Sequence, residues 1–380
     1  MKTPRLLFPL ACAAFALIVS PAHAAPPQYR VSVLNSLGGA AISAGINARG
    51  DVTGSASSSS IFAFHAVKWN GTTPNDLGTL DGIGSYGQAI NASGQVAGSY
   101  NTSNATEHAV RWTGTAAEDL GTLGGANSFG SGINATGQIA GYSYLPGDNT
   151  YHAVRWTGKV AVDLGAFSGE NSGGAGINDA GQIVGTTTFA GGSANHATMW
   201  NDTTSTDLGT LLGGHDSYGA AINNSGQVTG YSDGFGIGLH AVRWTGTIAE
   251  DLGTLGGYNS SGFGINNSGD VVGMSDTMGN AVSHPFLYTE GKMYDLYDLL
   301  PHDSGVSVLL IAGAGNPIND LGQIAAYGDI DGQQAVFLLT PIAVPEPSAG
   351  LLASVGVVVV ASNRANSQSI SQTLNRFPRI

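Results

Sequence analysis

Short apolar segments separated by glycine-rich turns recur along the chain from about residue 29 to residue 341. In a segment such as 152–156 (His-Ala-Val-Arg-Trp), alternate side chains fall on opposite faces, which is the period of a β-strand. Each unit of about 44 residues holds four such segments, a spacing typical of all-β proteins. The pattern predicts a repeated four-stranded unit. In one unit the segments, labelled strands A to D, are residues 129–134, 138–142, 152–156 and 160–164.

A histidine opens strand C in six units, at spacings of 43 or 44 residues, and an aspartate follows near the end of strand D. A buried His needs a hydrogen-bond partner, and the aspartate of the adjacent strand can supply it. A pair repeated six times is also a poor catalytic site, so we predict that it links strands C and D. The histidines are His65, His108, His152, His196, His240 and His284. The aspartates are Asp76, Asp119, Asp163, Asp207, Asp251 and Asp295.

Seven Asn-x-x-Gly sequences stand between strands A and B, from Asn47–Gly50 to Asn319–Gly322. Asn at the first position and Gly at the fourth are typical of a type I turn in which the Asn side chain caps its own turn. Propellers have about four to eight four-stranded blades with periods of about 40–50 residues. The unit count therefore predicts a seven-bladed β-propeller, with a linear β-solenoid as the alternative.

The two ends of the repeat region are complementary. Tyr29–Leu37 fits the register of a strand D, and the last unit, Leu309–Pro341, ends with a strand C. We expect the N-terminal strand to complete the last blade as its outermost strand, which closes the ring and covers both sheet edges. The only cysteine, Cys12, lies before this region, so we expect no disulfide to help the closure.

Residues 1–24 combine a positively charged start, an apolar run and a small-x-small sequence that ends at Ala24. These features predict a secretory signal peptide that is cleaved after Ala24. An exported mature chain would then begin with the repeat domain, residues 25–343.

Near the C-terminus, Pro345, Glu346 and Pro347 precede an apolar run, Ala349–Ala361. This segment resembles the PEP-CTERM sorting tail of exported bacterial proteins. The run has 13 residues, fewer than the about 17–25 that span a bilayer, and the basic cluster that follows it in the family is reduced here. The resemblance implies a sorting protease as partner and a transient membrane contact through residues 344–380.

The repeat itself resembles the HAF repeat of bacterial extracellular proteins, which is named for a His-Ala-Phe signature. His-Ala-x, Asp-Leu-Gly-Thr-Leu-Gly-Gly and Ile-Asn-x-x-Gly-Gln elements recur in that order over residues 29–341. The third residue of the signature is Val in four copies, with Thr198 and Phe286 in the others. The resemblance implies a secreted or surface protein and no defined reaction.

Composition and charge restrict the classes of partner and ligand that the protein can bind. The chain has 58 Gly, 10% charged residues and a formal net charge of -13. Nucleic-acid binding needs clustered positive charge, so we expect no nucleic-acid partner. The segment Asp329–Gly332 lacks most ligands of a calcium loop, and no phosphate-binding motif joins a strand to a helix. We therefore predict no cofactor and no metal site.

The turns divide the predicted ring into two faces. The A–B and C–D turns, here the constant face, keep nearly the same length, whereas the B–C and D–A turns, here the variable face, differ between units, with an insertion at Leu300–Ile311. We predict that the variable face binds a ligand, because carboxylates beside aromatic side chains suit a carbohydrate or a cation-bridged polymer. Drift of surface loops is the alternative. The candidate binding residues are Asp148, Asp216, Asp233, Asp276, Asp303, His215 and His302, and the nearby aromatic residues are Tyr100, Tyr144, Tyr151, Phe189 and Phe235.

Taken together, the sequence predicts an exported monomer without enzymatic activity, acting at the cell surface or in the extracellular matrix. We expect it to be a binding or structural module for exopolysaccharide or a surface partner. One alternative is a propeller enzyme acting on polysaccharide, which needs two carboxylates about 5–9.5 Å apart. The other is a structural envelope protein without a ligand.

Overall fold

The computed structural model of the protein describes residues 26–342, apart from residues 59–60, 168–170, 193, 281 and 314. The predicted signal peptide with its cleavage at Ala24, and the predicted sorting tail with Pro345, Glu346 and Pro347, lie outside the described residues. Within them, 28 strands form seven antiparallel sheets of four strands each. The sheets are arranged as blades in a ring, so the predicted seven-bladed β-propeller is confirmed.

The first strand, β1 (Gln28–Leu34), precedes the first blade. Blade I comprises β2 (Gly38–Ile46), β3 (Val52–Ser58), β4 (Ile61–Asn70) and β5 (Thr73–Asp76). Blade II comprises β6 (Gly84–Ile90), β7 (Val96–Asn101), β8 (Glu107–Thr113) and β9 (Ala116–Asp119). Blade III comprises β10 (Ser128–Ile133), β11 (Ile139–Tyr144), β12 (Tyr151–Thr157) and β13 (Val160–Asp163).

The remaining blades continue in chain order. Blade IV comprises β14 (Ser172–Ile177), β15 (Ile183–Thr188), β16 (Asn195–Asn201) and β17 (Thr204–Asp207). Blade V comprises β18 (Ser217–Ile222), β19 (Gln227–Gly234), β20 (Ile237–Thr245) and β21 (Ile248–Asp251). Blade VI comprises β22 (Gly256–Ile265), β23 (Val271–Thr277), β24 (Ser283–Thr289) and β25 (Lys292–Asp295). Blade VII comprises β26 (Val306–Leu310), β27 (Ile324–Ile330) and β28 (Gln333–Ile342), with β1 as its fourth strand.

The N-terminal strand closes the ring as predicted. β1 pairs antiparallel with β28, from Gln28 opposite Ile342 to Leu34 opposite Val336. Because β28 is a strand C, it runs from the variable face to the constant face. The start of β1 and the end of β28 therefore lie side by side at the constant face, in the outer part of blade VII.

The predicted position of the insertion is wrong. Residues 300–311 include β26, which pairs with β27 as the innermost strand of blade VII. The longest stretch of additional residues follows β26 and precedes the turn at Asn319. In this stretch the carbonyl oxygen of Asn316 accepts a hydrogen bond from the Ile46 N–H, and its side-chain amide bonds the backbone of Ile265. Asn316 thus connects blades I and VI, which the sequence pattern of a single unit cannot reveal.

The hydrophobic core lies between the blades. All five tryptophans are on strand C and are at most 1% exposed. Trp112 of blade II packs in one cluster with Ala66 and Leu77 of blade I, and the same arrangement places Trp156 beside Leu120. Each blade therefore buries its largest side chain against its neighbour, and the core is a ring of interfaces.

Helical structure is confined to two three-residue 3-10 turns, Ala190–Gly192 and Tyr297–Leu299, in the described part of the chain. Among these residues, no helix has the length and the apolar character needed to cross a bilayer.

Candidate functional site

The asparagines of the Asn-x-x-Gly turns form a closed ring of hydrogen bonds. Asn134 Oδ1 accepts the N–H groups of Thr136 and Gln138, as an Asn that caps its own turn does. Asn134 Nδ2 donates to Gln138 Oε1 and also to the carbonyl oxygen of Asn178 in the next blade. The Nδ2-to-carbonyl bond recurs at every blade junction, with distances of 2.9–3.4 Å. The ring runs through Asn47, Asn91, Asn134, Asn178, Asn223, Asn266, Asn319 and back to Asn47.

A buried serine at the start of strand A makes a second connection between blades. Ser128 Oγ accepts the N–H of Ala109 in blade II and donates to the carbonyl oxygen of Gly121. The same two bonds occur at five junctions, through Ser85, Ser128, Ser172, Ser217 and Ser260. Sequence reasoning missed both connections, because it treated the Asn as a local turn residue and did not single out the Ser.

The structure brings the predicted His–Asp pairs together in all six blades that carry them. The shortest distance from His Nδ1 to a carboxylate oxygen is 2.6–3.0 Å. The carboxylate also accepts a backbone N–H two residues later, as Asp119 does from Gly121. Burial alone would raise the pKa of Asp119, but the hydrogen bonds from Gly121, His108 and Tyr100 outweigh it and lower that pKa. The pair thus anchors strand C to the turn that leaves strand D.

A double-mutant cycle on His108 and Asp119 tests this interaction. We expect a coupling free energy of about 0.5–1 kcal/mol, because both side chains are partly exposed. Asp119→Ala should cost more than His108→Ala, since it also removes the acceptor for Gly121 and Tyr100. Because the pKa of Asp119 is lowered, its contribution should be present above its ordinary value of 3.8 and be lost as the pH falls below it. Urea unfolding of the four proteins at pH 7 and pH 3 measures both effects, and additive single changes at pH 7 would argue against the interaction.

The candidate carboxylates of the variable face mostly bind loop backbone. Asp148 Oδ1 accepts the N–H of Ala126, and Asp276 Oδ2 accepts bonds from the backbone and side chain of Asn259. The Asp148 bond joins the B–C turn of blade III to the turn that leads into that blade, and the Asp276 bonds join the variable-face ends of β23 and β22. These two aspartates therefore shape the variable face, and they lie in different blades, III and VI.

His215, Asp216 and Asp233 are brought together. Asp233 Oδ1 accepts the N–H groups of His215 and Asp216, and His215 Nδ1 lies 3.1 Å from Asp216 Oδ2. Burial would raise the pKa of Asp216, but the N–H of Asn195 and the His215 side chain lower it overall. His302 and Asp303 are exposed in the turn before blade VII, and neither side chain has a hydrogen-bond partner among the described residues.

Charge is divided unequally between the faces. The ring contains eight Lys and Arg, and each lies in a turn of the constant face, near the constant-face end of a strand C or D, or at the start of β1. Arg111, for example, donates to the carbonyl oxygen of Gly137 in an A–B turn. The variable face carries the aspartates of the six pairs and the loop carboxylates, and the described residues there include no Lys or Arg. The eight residues are Arg30, Arg49, Lys68, Arg111, Arg155, Lys159, Arg243 and Lys292.

A cavity of about 560 Å³ lies among blades II to V on the side of the variable face, and Gly313 and Gly315 of the stretch between β26 and β27 complete its lining. Its lining combines aromatic side chains of blades III and V with polar side chains and with small residues of the innermost strands. The rings of Phe129 and Tyr142 stack at 4.6 Å between centroids, and Tyr151 lies 5.3 Å from Tyr142 and 5.5 Å from Tyr144. The lining residues that have side chains are Gln88, Ser99, Phe129, Ser131, Tyr142, Tyr144, Tyr151, Asn171, Ser172, Ala175, Thr186, Thr188, Asn195, Tyr218 and Ala220.

The cavity exists because blade IV lacks an aromatic pair that its neighbours have. Blade III places Phe129 opposite Tyr142, and blade V places Tyr218 opposite Tyr231 at the same positions of strands A and B. In blade IV these positions hold Gly173 and Thr186. The small side chains leave space between two stacked aromatic pairs. Of the aromatic residues named from the sequence, Tyr144 and Tyr151 line this space.

The cavity offers hydrogen-bonding groups of one kind, uncharged ones. Within the described chain, the hydroxyl groups of Tyr142, Tyr144 and Tyr151 and the Nδ2 of Asn171 have no protein partner. Burial, followed by the nearby Tyr144 and Glu107, raises the pKa of Tyr142 to about 12, so its phenol stays protonated at neutral pH. No Asp, Glu, Lys, Arg or His is among the described residues that line the cavity.

A second cavity, of about 210 Å³, lies at the constant-face end of the ring and is lined by residues of all seven blades. Its polar side chains bond one another, as Asn267 Nδ2 does with Asp320 and Asn224 Nδ2 with Asp179. Among the described residues, no group of three or more His, Cys, Asp or Glu is placed to hold a metal ion. The larger cavity, with its unpartnered polar groups, is therefore the stronger candidate site.

Comparison with known proteins bears on the fold. No protein-family model matches the chain, and no curated protein matches it in sequence. The β-propeller domain of the Trilobed protease from Pyrococcus furiosus, which has an open velcro topology, is similar over 81% of this chain and 99% of its own, with a TM-score of 0.51 and 9% identity. Aleuria aurantia lectin matches 68% of this chain and 96% of its own, with a TM-score of 0.35 and 14% identity. The gluconolactonase of Xanthomonas campestris matches 85% and 97%, with a TM-score of 0.37 and 10% identity. The first of these likenesses shows the propeller fold alone.

Proposed function

We propose that the protein is a carbohydrate-binding propeller of the bacterial surface or extracellular matrix, and that it binds exopolysaccharide in the larger cavity, on the side of the variable face. The observation that carries this proposal is the combination of stacked tyrosines with unpartnered hydroxyl and amide groups in one cavity. Ligand sites are typically concave, with aromatic walls and a few polar groups that set orientation. A sugar ring presents C–H groups to an aromatic face and hydroxyl groups to its edge, so these walls suit it.

The cavity favours binding over hydrolysis. Glycoside hydrolysis generally needs two carboxylic acids that flank the scissile bond. The described lining residues include neither Asp nor Glu. The six His–Asp pairs are partly exposed, one in each of six blades, and each carboxylate is occupied by its histidine and by a backbone N–H. We therefore propose a non-enzymatic module that acts as a monomer.

The proposed location at the cell surface rests on the two sequence signals and on where the ring begins and ends. A signal peptide and a PEP-CTERM-like tail, processed by a sorting protease, would deliver a HAF-repeat-like ring to the surface. Gln28 and Ile342 are paired at the constant face. Attachment through residue 343 would leave the cavity, on the side of the other face, accessible to polysaccharide.

Glycan-array screening of the purified full chain, followed by calorimetry on any glycan retained, tests the function. Tyr144→Ala should weaken binding by at least about tenfold, because it removes an aromatic wall. Tyr258→Ala is the matched control, since Tyr258 is exposed on the variable face outside the cavity, and its binding should be unchanged. A folded protein that retains no glycan, or equal losses in both variants, would overturn the proposal.

A further inference from the structure

The cavity and its surroundings differ in charge, and this difference bears on which glycans can enter. The lining supplies phenol, hydroxyl and amide groups, each of which can donate or accept a hydrogen bond without a net charge. A carboxylate or sulfate ester placed there would lose its hydration and find no cation among the described lining residues. Burying an unpaired charge is unfavourable, so an acidic group on the glycan would offset the contacts that its sugar ring makes with the walls.

Acidic groups are hydrogen-bonded to lining residues on two sides of the cavity, in blades II and IV. Ser99 lines it and donates its hydroxyl to Glu107 Oε1, and Asn195 donates its backbone N–H to Asp216 Oδ1. These carboxylates affect the pKa values of two lining tyrosines. Burial is the largest cause of the raised pKa of Tyr142 and of Tyr218; Glu107 contributes to the first, and Asp216 and Asp233 contribute to the second. Among the described residues, the Lys and Arg side chains belong to the constant face, so none of them stands beside these carboxylates.

We infer that the cavity selects glycans without acidic groups and excludes uronic-acid, sulfated and phosphate-bearing polymers. The inference rests on the proposed function and specifies its substrate class. The negative charge of the carboxylates beside the cavity slows the approach of an anionic chain, and the uncharged lining offers the chain no cationic partner inside. Rejection by unpaired charge is a general route to specificity, since it acts against the wrong ligand without improving the right one.

Three β-1,4-linked tetrasaccharides that share one backbone provide the probes: cellotetraose, its glucuronate counterpart, and the fully deacetylated glucosamine counterpart. They are to be measured by calorimetry at low and at high salt, beside an array of neutral, amine-bearing and acidic glycans. We expect neutral or amine-bearing glycans to bind at least about tenfold more tightly than acidic counterparts at low salt, and added salt to narrow that gap. Retention of acidic glycans with equal or higher affinity overturns this inference alone, whereas retention of no glycan overturns the proposed function as well.

Variants that replace carboxylates by amides test whether the acidic groups beside the cavity cause this selectivity. Glu107→Gln, Asp216→Asn and Asp233→Asn together keep the hydrogen-bond acceptors of the loops and remove three negative charges from the variable face. Their combination should raise affinity for the acidic members of the array by about fivefold or more and leave the neutral ones unchanged. The control removes three charges from the constant face, and equal gains in the two triple variants would contradict the inference. The control changes are Asp179→Asn, Asp202→Asn and Glu290→Gln.

Discussion

Asn134→Asp should destabilise the propeller by about 3 kcal/mol or more. The Asn134 side chain is buried and donates through Nδ2 to the carbonyl oxygen of Asn178 and to Gln138 Oε1. A carboxylate of the same shape cannot donate a hydrogen bond, so it would lie against two hydrogen-bond acceptors in a buried position from which water is excluded. The substitution therefore breaks one link of the asparagine ring and buries an unpaired charge, while the size of the side chain is unchanged.

Urea unfolding at pH 7 measures this effect, and Asn104→Asp is the matched control. Asn104 is exposed in the B–C turn of blade II, and its side chain makes no hydrogen bond within the described residues, so the same chemical change there should shift stability by no more than about 0.5 kcal/mol. Asn319→Asp should behave like Asn134→Asp, because Asn319 makes the bond to Asn47 that closes the ring. Equal unfolding midpoints for the buried and exposed variants would show that the asparagine ring contributes little to stability.

Gly173→Tyr should abolish glycan binding and leave the fold intact. A Cβ added at Gly173 would lie 3.9 Å from Cβ and Cδ1 of Tyr142, which is ordinary van der Waals contact. The new ring would occupy the position that Phe129 and Tyr218 hold in the neighbouring blades. Because it fills the space from which the cavity arises, we expect at least about a hundredfold loss of affinity, near 2.7 kcal/mol.

The comparison is Ser261→Tyr, which introduces the same side chain at the same position of strand A in blade VI, away from the cavity. Thermal melting and circular dichroism establish that both variants fold, and calorimetry with a retained neutral glycan gives their affinities. Gly173→Ala, which adds only the Cβ, should bind nearly as well as the unchanged protein. If Gly173→Tyr folds and binds with unaltered affinity, the cavity is not the binding site.

Much of the fold follows from the repeat in the sequence. The His–Asp pair spans eleven residues within one hairpin, so its partners are adjacent wherever the hairpin forms. The seven Asn-x-x-Gly turns and the matching registers of the two end segments were likewise sufficient to predict that β1 closes the ring. These inferences succeed because each depends on contacts within a blade, or on how many blades there are.

The connections between blades were not predictable in the same way. Asn134 and Asn178 are 44 residues apart, and each unit alone accounts for its asparagine as a turn residue. The extra residues before Asn319 were misplaced because β26 lacks the Ser and Gly pattern of the other innermost strands, so its register was visible only from its pairing with β27. Both features depend on contacts between blades, which are set by how closely neighbouring blades approach each other around the ring axis.

By itself, the sequence determined the unit, its number, the closing strand and the division into a constant and a variable face, since these rest on periodicity and on local turn chemistry. Only the tertiary structure decided where a ligand can bind. The variable-face carboxylates Asp148, Asp216, Asp233 and Asp276, which looked like ligand groups, bind backbone N–H groups of neighbouring turns and strands. The cavity arises where Gly173 stands between two aromatic pairs of other blades. A missing side chain becomes a site only when the blades on both sides hold its walls apart, and that requires the closed ring.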